Sequence, residues 1–146
     1  MSFQVKQFDE LTGLQIYKIL QARVGVFVVE QQCAFLEVDG KDPNCDHLYF
    51  EEDGDILAYA RLLPPGVSYK EASIGRVLVV EKARGRGLAK QLLKEAIQYL
   101  KAQGHPMIKI QAQSYLKDFY SSFGFAAISD EYLEDDIPHI DMLLTF

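Results

Sequence analysis

The chain has 146 residues, 49% of them apolar, and carries 15 Lys and Arg against 21 Asp and Glu, a formal net charge of −6. That sign excludes broad engagement of nucleic-acid phosphates, which needs a basic face, and the length suits one domain over residues 1–146, since two would each lack a sufficient core. No apolar run approaches the roughly 18 residues of a membrane span, Met1 to Lys6 lacks the apolar stretch of a secretion signal, and two cysteines, Cys33 and Cys45, suit a reducing, cytoplasmic setting.

Phe3 to Phe8 alternates weakly and reads as an edge strand. Thr12-Gly13-Leu14-Gln15 has the form of a capping box, and Leu14, Tyr17, Leu20, Val24, Phe27 and Val28 recur at helical spacing, predicting a helix to about Gln32 with a weak point at Gly25. From Cys33 to Asp46 the periodicity stops and acids gather at Glu37, Asp39, Asp42 and Asp46, which predicts a loop. Cys45 stands two residues before His47, but the spacing lacks a second ligand pair and no metal site is assigned.

His47 to Glu52 and Asp55 to Leu63 read as strands joined by the hairpin turn Asp53-Gly54. Ser73 to Val80 is a β-branched run typical of a strand buried on both faces. A second helix buries Leu88, Leu92, Leu93, Ala96, Ile97 and Leu100 and stops at Gly104 and Pro106. Met107 to Ala112 is a strand, Tyr115 to Ser122 a short helix, and Phe123 to Ile128 and His139 to Phe146 are closing strands. The pattern is an α/β fold, a mixed sheet with helices on both faces.

Between the buried strand and the second helix lies Arg84-Gly85-Arg86-Gly87-Leu88-Ala89. Glycines permit close backbone approach, the first N–H groups of a helix lack partners and favour an anion, and two arginines add charge-assisted contacts. The expected guest is a phosphate or pyrophosphate. A Walker loop is absent, and a dinucleotide fingerprint fails because Lys90 stands in its third glycine position.

Arg84 to Ala89 resembles the acetyl-CoA pyrophosphate loop of the GNAT N-acetyltransferases, and Phe119-Tyr120-Ser121-Ser122-Phe123-Gly124-Phe125 is similar to a second motif of that family. Arg23 with Val26 to Gln31 and Cys33, Ile74-Gly75-Arg76-Val77, Ala112-Gln113, and Ile137 to Ile140 with Met142 resemble its ElaA-like branch, so that the matches span nearly the whole chain. One departure is Asp136, where the pattern leads one to expect glycine.

The resemblance implies the GNAT fold, a mixed, mostly antiparallel sheet splayed between strands 4 and 5, and a soluble transferase that uses acetyl-CoA and no metal. Backbone groups of Leu78, Val79 and Val80 would hold the pantetheine arm, with an N–H near Val80 polarising the thioester carbonyl. Arg84, Gly85, Arg86, Gly87, Leu88 and Ala89 would receive the pyrophosphate. Tyr120 would protonate the leaving thiolate, at a phenol's ordinary pKa near 10, and Glu30 would be the base, with Glu37 and His139 as other candidates. Arg23, Glu37, Asp39, Arg76 and His139 would face the acceptor, a primary amine of a small molecule or peptide. The acids of the Cys33 to Asp46 loop suit a cationic amine. Arg76, on a buried strand, needs a partner such as Glu30, Asp39 or Asp46. Neither nucleic acid nor membrane is expected as a partner, and a homodimer is compatible with the sequence. Arg23, Asp39, Asp46, Arg61 to Pro64 and Arg76 also resemble acyl-homoserine-lactone synthases, which use S-adenosylmethionine as acceptor, and a catalytically silent CoA-binding module is the remaining alternative.

Overall fold

The computed structural model describes residues 2–146. In chain order it contains β1 (Gln4–Gln7), α1 (Gly13–Val24), β2 (Asp46–Glu52), β3 (Asp55–Leu63), β4 (Ala72–Val79), α2 (Leu88–Ala102), β5 (Met107–Gln113), α3 (Lys117–Ser121), β6 (Ala126–Ala127), β7 (Tyr132–Glu134) and β8 (Ile137–Thr145). One sheet runs β1-β2-β3-β4-β5-β8-β6, with β7 paired to β8. Every pairing is antiparallel except β4 with β5. Among the described residues no helix is long and apolar enough to cross a membrane.

Alternation along the strands builds two cores. On one face Leu48, Phe50, Ala58, Ala60 and Leu62 pack with α2 and α3; on the other Tyr49, Tyr59 and Leu78 pack with α1. Helix α2 buries the predicted stripe and ends at Gly104, φ 88°. Helix α1 opens on the predicted capping box, with Thr12 Oγ1 accepting from Gln15 N–H at 3.1 Å and Gln15 Oε1 from Thr12 N–H at 2.9 Å. Its buried face is not the predicted one. Leu14 and Tyr17 lie in solvent, and Ile19, Ala22, Arg23 and Val26 turn inward. The stripe turns about a charge, because ion pairing makes Arg23 a core residue.

Gly25 does not break this helix. Gly25–Glu30 continue it as a π-helical turn, a widening often found at functional sites, and it brings Val26, Phe27, Glu30 and Gln31 to a cleft described below. The Asp53-Gly54 hairpin forms as expected, with φ of 53° and 81°. The C-terminal segment differs from expectation: the strand expected over 123–128 shrinks to Ala126–Ala127, and β7 appears unannounced. β7 and β8 join through Asp135 and Asp136, at φ 52° and 62°. Glycine adopts that left-handed turn most readily, and aspartate, which stands at 136 where the family pattern has glycine, is among the few other residues that accept the conformation.

Two irregularities in β4 position the cleft. Its pairing with β5 lasts only for Ala72–Ile108 and Ser73–Lys109, and the strands then diverge, giving the splay that the resemblance implies. On its other edge β4 carries a bulge, with Gly75 opposite Arg61 and Leu78 opposite Tyr59, so that Arg76 and Val77 together oppose Ala60. Strict alternation would aim Arg76 at the α2 core beside Ile74. The bulge, with Arg76 at φ 51°, swings its guanidinium to the α1 side, and from there on Leu78 rather than Val77 faces α1.

Candidate active site

The divergence of β4 and β5 opens a cleft of about 800 Å³. One wall is β4, where Val77, Leu78 and Val79 line the opening; the other is β5 and β8, with Ile110, Gln111, Gln113 and His139; Tyr120 of α3 closes the α2 side.

The backbone of β4 offers fewer free groups than the sequence suggests. Val80 N–H donates to Leu57 O at 3.0 Å and Val80 O accepts from Ala83 N–H at 2.9 Å. Both groups are thus spent inside the fold, and Val80 does not line the cleft. The expected contact of Val80 with a bound arm therefore finds no free backbone group there. In an antiparallel ladder neighbouring residues point their N–H and C=O to opposite sides, so Val79 turns away from β3 and toward the splay. Its carbonyl accepts from Arg84 Nε at 3.0 Å.

At the end of this wall the chain passes through Gly85, φ 84°, and Gly87, φ 78°, into α2. Gly87 caps the helix without a side chain to accept from it, and the first helical bond runs from Gln91 N–H to Gly87 O. The N–H groups of Leu88, Ala89 and Lys90 therefore lack helical acceptors and present a positive helix end. A Cβ on either glycine would touch nothing in the protein. What glycine supplies here is the left-handed torsion and an unobstructed approach for an anion.

The two loop arginines go different ways. Arg84 lines the cleft and its Nη2 holds both oxygens of Glu30 at 2.8 Å. Arg86 turns aside to Glu52, Nη1 to Oε2 at 2.9 Å, and does not line the cleft. Glu30, expected as a base, sits exposed in the pair with Arg84.

Four of the expected acceptor residues, Arg23, Glu37, Asp39 and Arg76, form a closed ring of charge with Arg61 and Asp42. Arg23 Nε donates to Glu37 Oε2 at 2.6 Å, and the same oxygen accepts from Arg76 Nε at 2.9 Å. Arg76 Nη2 reaches Asp39 Oδ2 at 3.4 Å, and Asp39 accepts from both terminal nitrogens of Arg61 at 2.9 and 2.8 Å. Asp42 Oδ1 closes the circuit between Arg61 and Arg23 at 2.9 and 2.8 Å. Three arginines and three acids cancel. Arg23 is 0% exposed and Glu37 3%, and neither lines the cleft. Their expected contact with an acceptor is therefore corrected: burial puts them behind the wall, and only Asp39, Arg61 and Arg76 of the ring show at it. Of the acids read in the 33–46 loop, Glu37, Asp39 and Asp42 are spent on these arginines, while Glu134 and Asp135 at the β7-β8 turn, given no role in the sequence, line the cleft without an ion-pair partner among the described residues.

The ring shifts the protonation of Asp39, Asp42, Arg23 and Arg61. Burial works against the charged form of Asp39, but hydrogen bonds from Arg61 and Lys41 N–H outweigh it and hold the carboxyl well below the usual range; Asp42 is lowered likewise by Arg61 and Arg23. Burial lowers Arg23 and Arg61 as well, yet the adjoining acids leave both raised. His47 lies beneath the ring with both nitrogens engaged, Nε2 to Asp42 O at 3.0 Å and Nδ1 to the Tyr59 hydroxyl at 2.6 Å. Burial pushes its pKa down. Cys45 is a buried thiol pushed up to about 11 by burial, donating to Lys41 O.

These shifts give a pH dependence of fixed sign. His47 binds its proton less readily when folded, and so do Asp39 and Asp42, so the unfolded chain takes up more protons on acidification and stability falls. Thermal melts should decline first as pH drops below about 6.5, where an unfolded imidazole titrates, and again below about 4, where unfolded aspartates do. A melting temperature unchanged from pH 7 to 3.5 would refute this.

Tyr120 is 7% exposed. Its ring meets Phe119 and Phe125 edge-on at 5.4 and 6.0 Å between centroids, and its hydroxyl has no hydrogen-bond partner among the described residues. Burial raises its pKa, with a smaller contribution from Tyr115, so the ordinary phenol value expected from sequence does not hold. Gly124, φ 100°, sets the turn behind it, where a Cβ would come within 3.0 Å of Leu144. The cleft also holds groups to which the sequence assigns no role. Gln31 and Gln113 exchange amide hydrogen bonds at 3.3 and 3.4 Å from its two sides, and Phe35 lies over the Arg76 guanidinium. Long-range packing of the 31–35 segment brings Gln31 to Gln113 of β5 and Phe35 to Arg76 of β4.

Residues 21–146 match the family model described as the acetyltransferase (GNAT) domain. A UPF0039 protein of Schizosaccharomyces pombe is 38% identical over 147 residues, covering 99% of this chain and 97% of its own. The crystal structure of an acyl-CoA N-acyltransferase from Pseudomonas aeruginosa superposes with a TM-score of 0.93 at 40% identity, covering 99% of this chain and 100% of that one. That of Escherichia coli ElaA superposes at 0.91 with 35% identity, covering 99% of both.

Proposed function

From the premise that this chain belongs to the GNAT acetyltransferase family, we propose that it transfers the acetyl group of acetyl-CoA directly to a primary amine of a small molecule or peptide. The observation that carries the reading is the meeting of three features at one cleft: the uncapped N-terminus of α2, the splayed edge of β4, and the hydroxyl of Tyr120. The N–H groups from Gly85 to Lys90 hold the pyrophosphate, with Arg84 beside them and Glu30 ordering that arginine. Val77 to Val79 hold the pantetheine arm as a neighbouring strand would, and the Val79 N–H stabilises negative charge growing on the thioester oxygen. A neutral amine attacks the carbonyl carbon, so no enzyme-bound acyl intermediate is needed, and Tyr120 gives its proton to the departing sulfur. The raised pKa of Tyr120 keeps it protonated until then. Burial that disfavours a phenolate also disfavours a thiolate formed beside it, which keeps the two proton affinities close.

The arginines and acids that also resemble the acyl-homoserine-lactone synthases spend their charges on one another here, and Asp46 accepts from the Tyr99 hydroxyl at 2.9 Å, so no observation favours that acceptor. Titration calorimetry with acetyl-CoA tests the proposal. The wild type should bind, and Gly87→Val should bind at least tenfold more weakly, since a β-branched residue at φ 78° is strained by about 1–2 kcal/mol and crowds the anion. A wild type that does not bind acetyl-CoA overturns the reading.

A further inference from the structure

We propose that His139 is the general base that takes the proton from the incoming ammonium, an inference that rests on the amine-acetylation reading above. His139 lies on β8 opposite Gln113 of β5, on the face that lines the cleft. Its Nδ1 lies 2.7 Å from the carbonyl of Ile137. A carbonyl has no proton to give, so Nδ1 carries the hydrogen and donates it, and in the neutral ring Nε2 is left with a free lone pair. Nε2 stands across the ring from that anchor, with no hydrogen-bond partner among the described residues.

The ring is held for this task. Tyr132, its cross-strand neighbour, lies nearly parallel at 26° with centroids 6.3 Å apart, and the Tyr132 hydroxyl is fixed by Asp141. His47 is the contrast: both of its nitrogens are occupied and it is 1% exposed. The other candidates are also engaged, Glu30 by Arg84, Glu37 by Arg23 and Arg76. The titratable groups that share the cleft around His139 are Glu134 and Asp135 of the β7-β8 turn, Tyr69 and Tyr115, and Cys33, whose thiol donates to Asp135 O at 3.5 Å; Asp141 reaches it through Tyr132. The two carboxylates favour approach of a cation to this side of the cleft.

The Nε2 lone pair takes one proton from R–NH3+, giving imidazolium and a neutral amine. As the new C–N bond forms and the C–S bond breaks, the sulfur takes the Tyr120 proton, the second proton on nitrogen passes through water to restore the phenol, and the imidazolium releases its proton to solvent.

The test compares two acceptors of similar size, ethylamine, which is an ammonium at pH 7, and 2,2,2-trifluoroethylamine, which is a free amine there. In His139→Gln, kcat/KM for CoA release with ethylamine should fall by about 10²- to 10³-fold, and with the fluorinated amine by less than about tenfold. Acetyl-CoA affinity by calorimetry should stay within about twofold of wild type, which shows the variant to be folded. Equal losses with both amines, or no loss with ethylamine, overturn the assignment of His139 and leave the acetyltransfer reading standing. A wild type that binds acetyl-CoA yet acetylates neither amine overturns both.

Discussion

Arg23→Met is expected to lower the melting temperature by roughly 10–15 °C, corresponding to about 3–5 kcal/mol for breaking a buried ion pair in a chain of this length. Methionine fills much of the volume, so the loss is chiefly electrostatic. The ring would keep three carboxylates against two guanidiniums, one uncompensated charge in a region where Arg23 is 0% exposed. Little slack exists to absorb it, since Glu37 Oε1 and Arg61 Nε are already buried without partners. Arg23→Met with Glu37→Gln restores neutrality and should be more stable than the sum of the single losses by about 1–3 kcal/mol. Additive losses in thermal or urea denaturation would show that the six charges do not act as a unit. The surface pair Arg86–Glu52, about half exposed, should matter by less than about 1 kcal/mol.

Tyr120→Phe is expected to lower kcat for acetyl transfer by about 10²- to 10³-fold, the usual worth of a positioned general acid, while acetyl-CoA affinity and melting temperature stay near wild type. Phenylalanine keeps the edge-on contacts with Phe119 and Phe125, and the hydroxyl it lacks has no protein partner to abandon. That separation is what makes the variant decisive. If steady-state turnover is unchanged, the ring is packing alone and water protonates the sulfur.

What could be read in advance followed local rules. The capping box of α1, the stripe of α2, the Asp53-Gly54 hairpin and the glycine-bearing turn into α2 each depend on residues within a few positions of one another, and all four stand as predicted. The Tyr120 motif placed that residue at the cleft for the same reason, because α3 and the Gly124 turn are encoded side by side.

Burial of charge was not local. In sequence, the stripe through Leu14, Tyr17 and Leu20 competes with one through Ile16, Ile19 and Val26 that Arg23 interrupts, and no pattern in a single helix announces that an arginine will occupy the core. Arg23 is inward because Glu37 and Asp42, far along an irregular segment, neutralise it there. Arg76 reaches the same ring only through a bulge that reverses the alternation of β4, and a one-residue shift of register moves every following side chain to the other face. Val80 shows the same limit for the backbone, since which peptide groups stay free at a splayed edge depends on the partner strand. By itself the sequence determined the family, the glycine-bearing turn between strand and helix, and the tyrosine of α3, since a motif carries its own neighbours. Only the tertiary structure decided which charges face the cleft and which cancel behind it, since desolvation and pairing depend on residues that the chain brings together from far apart.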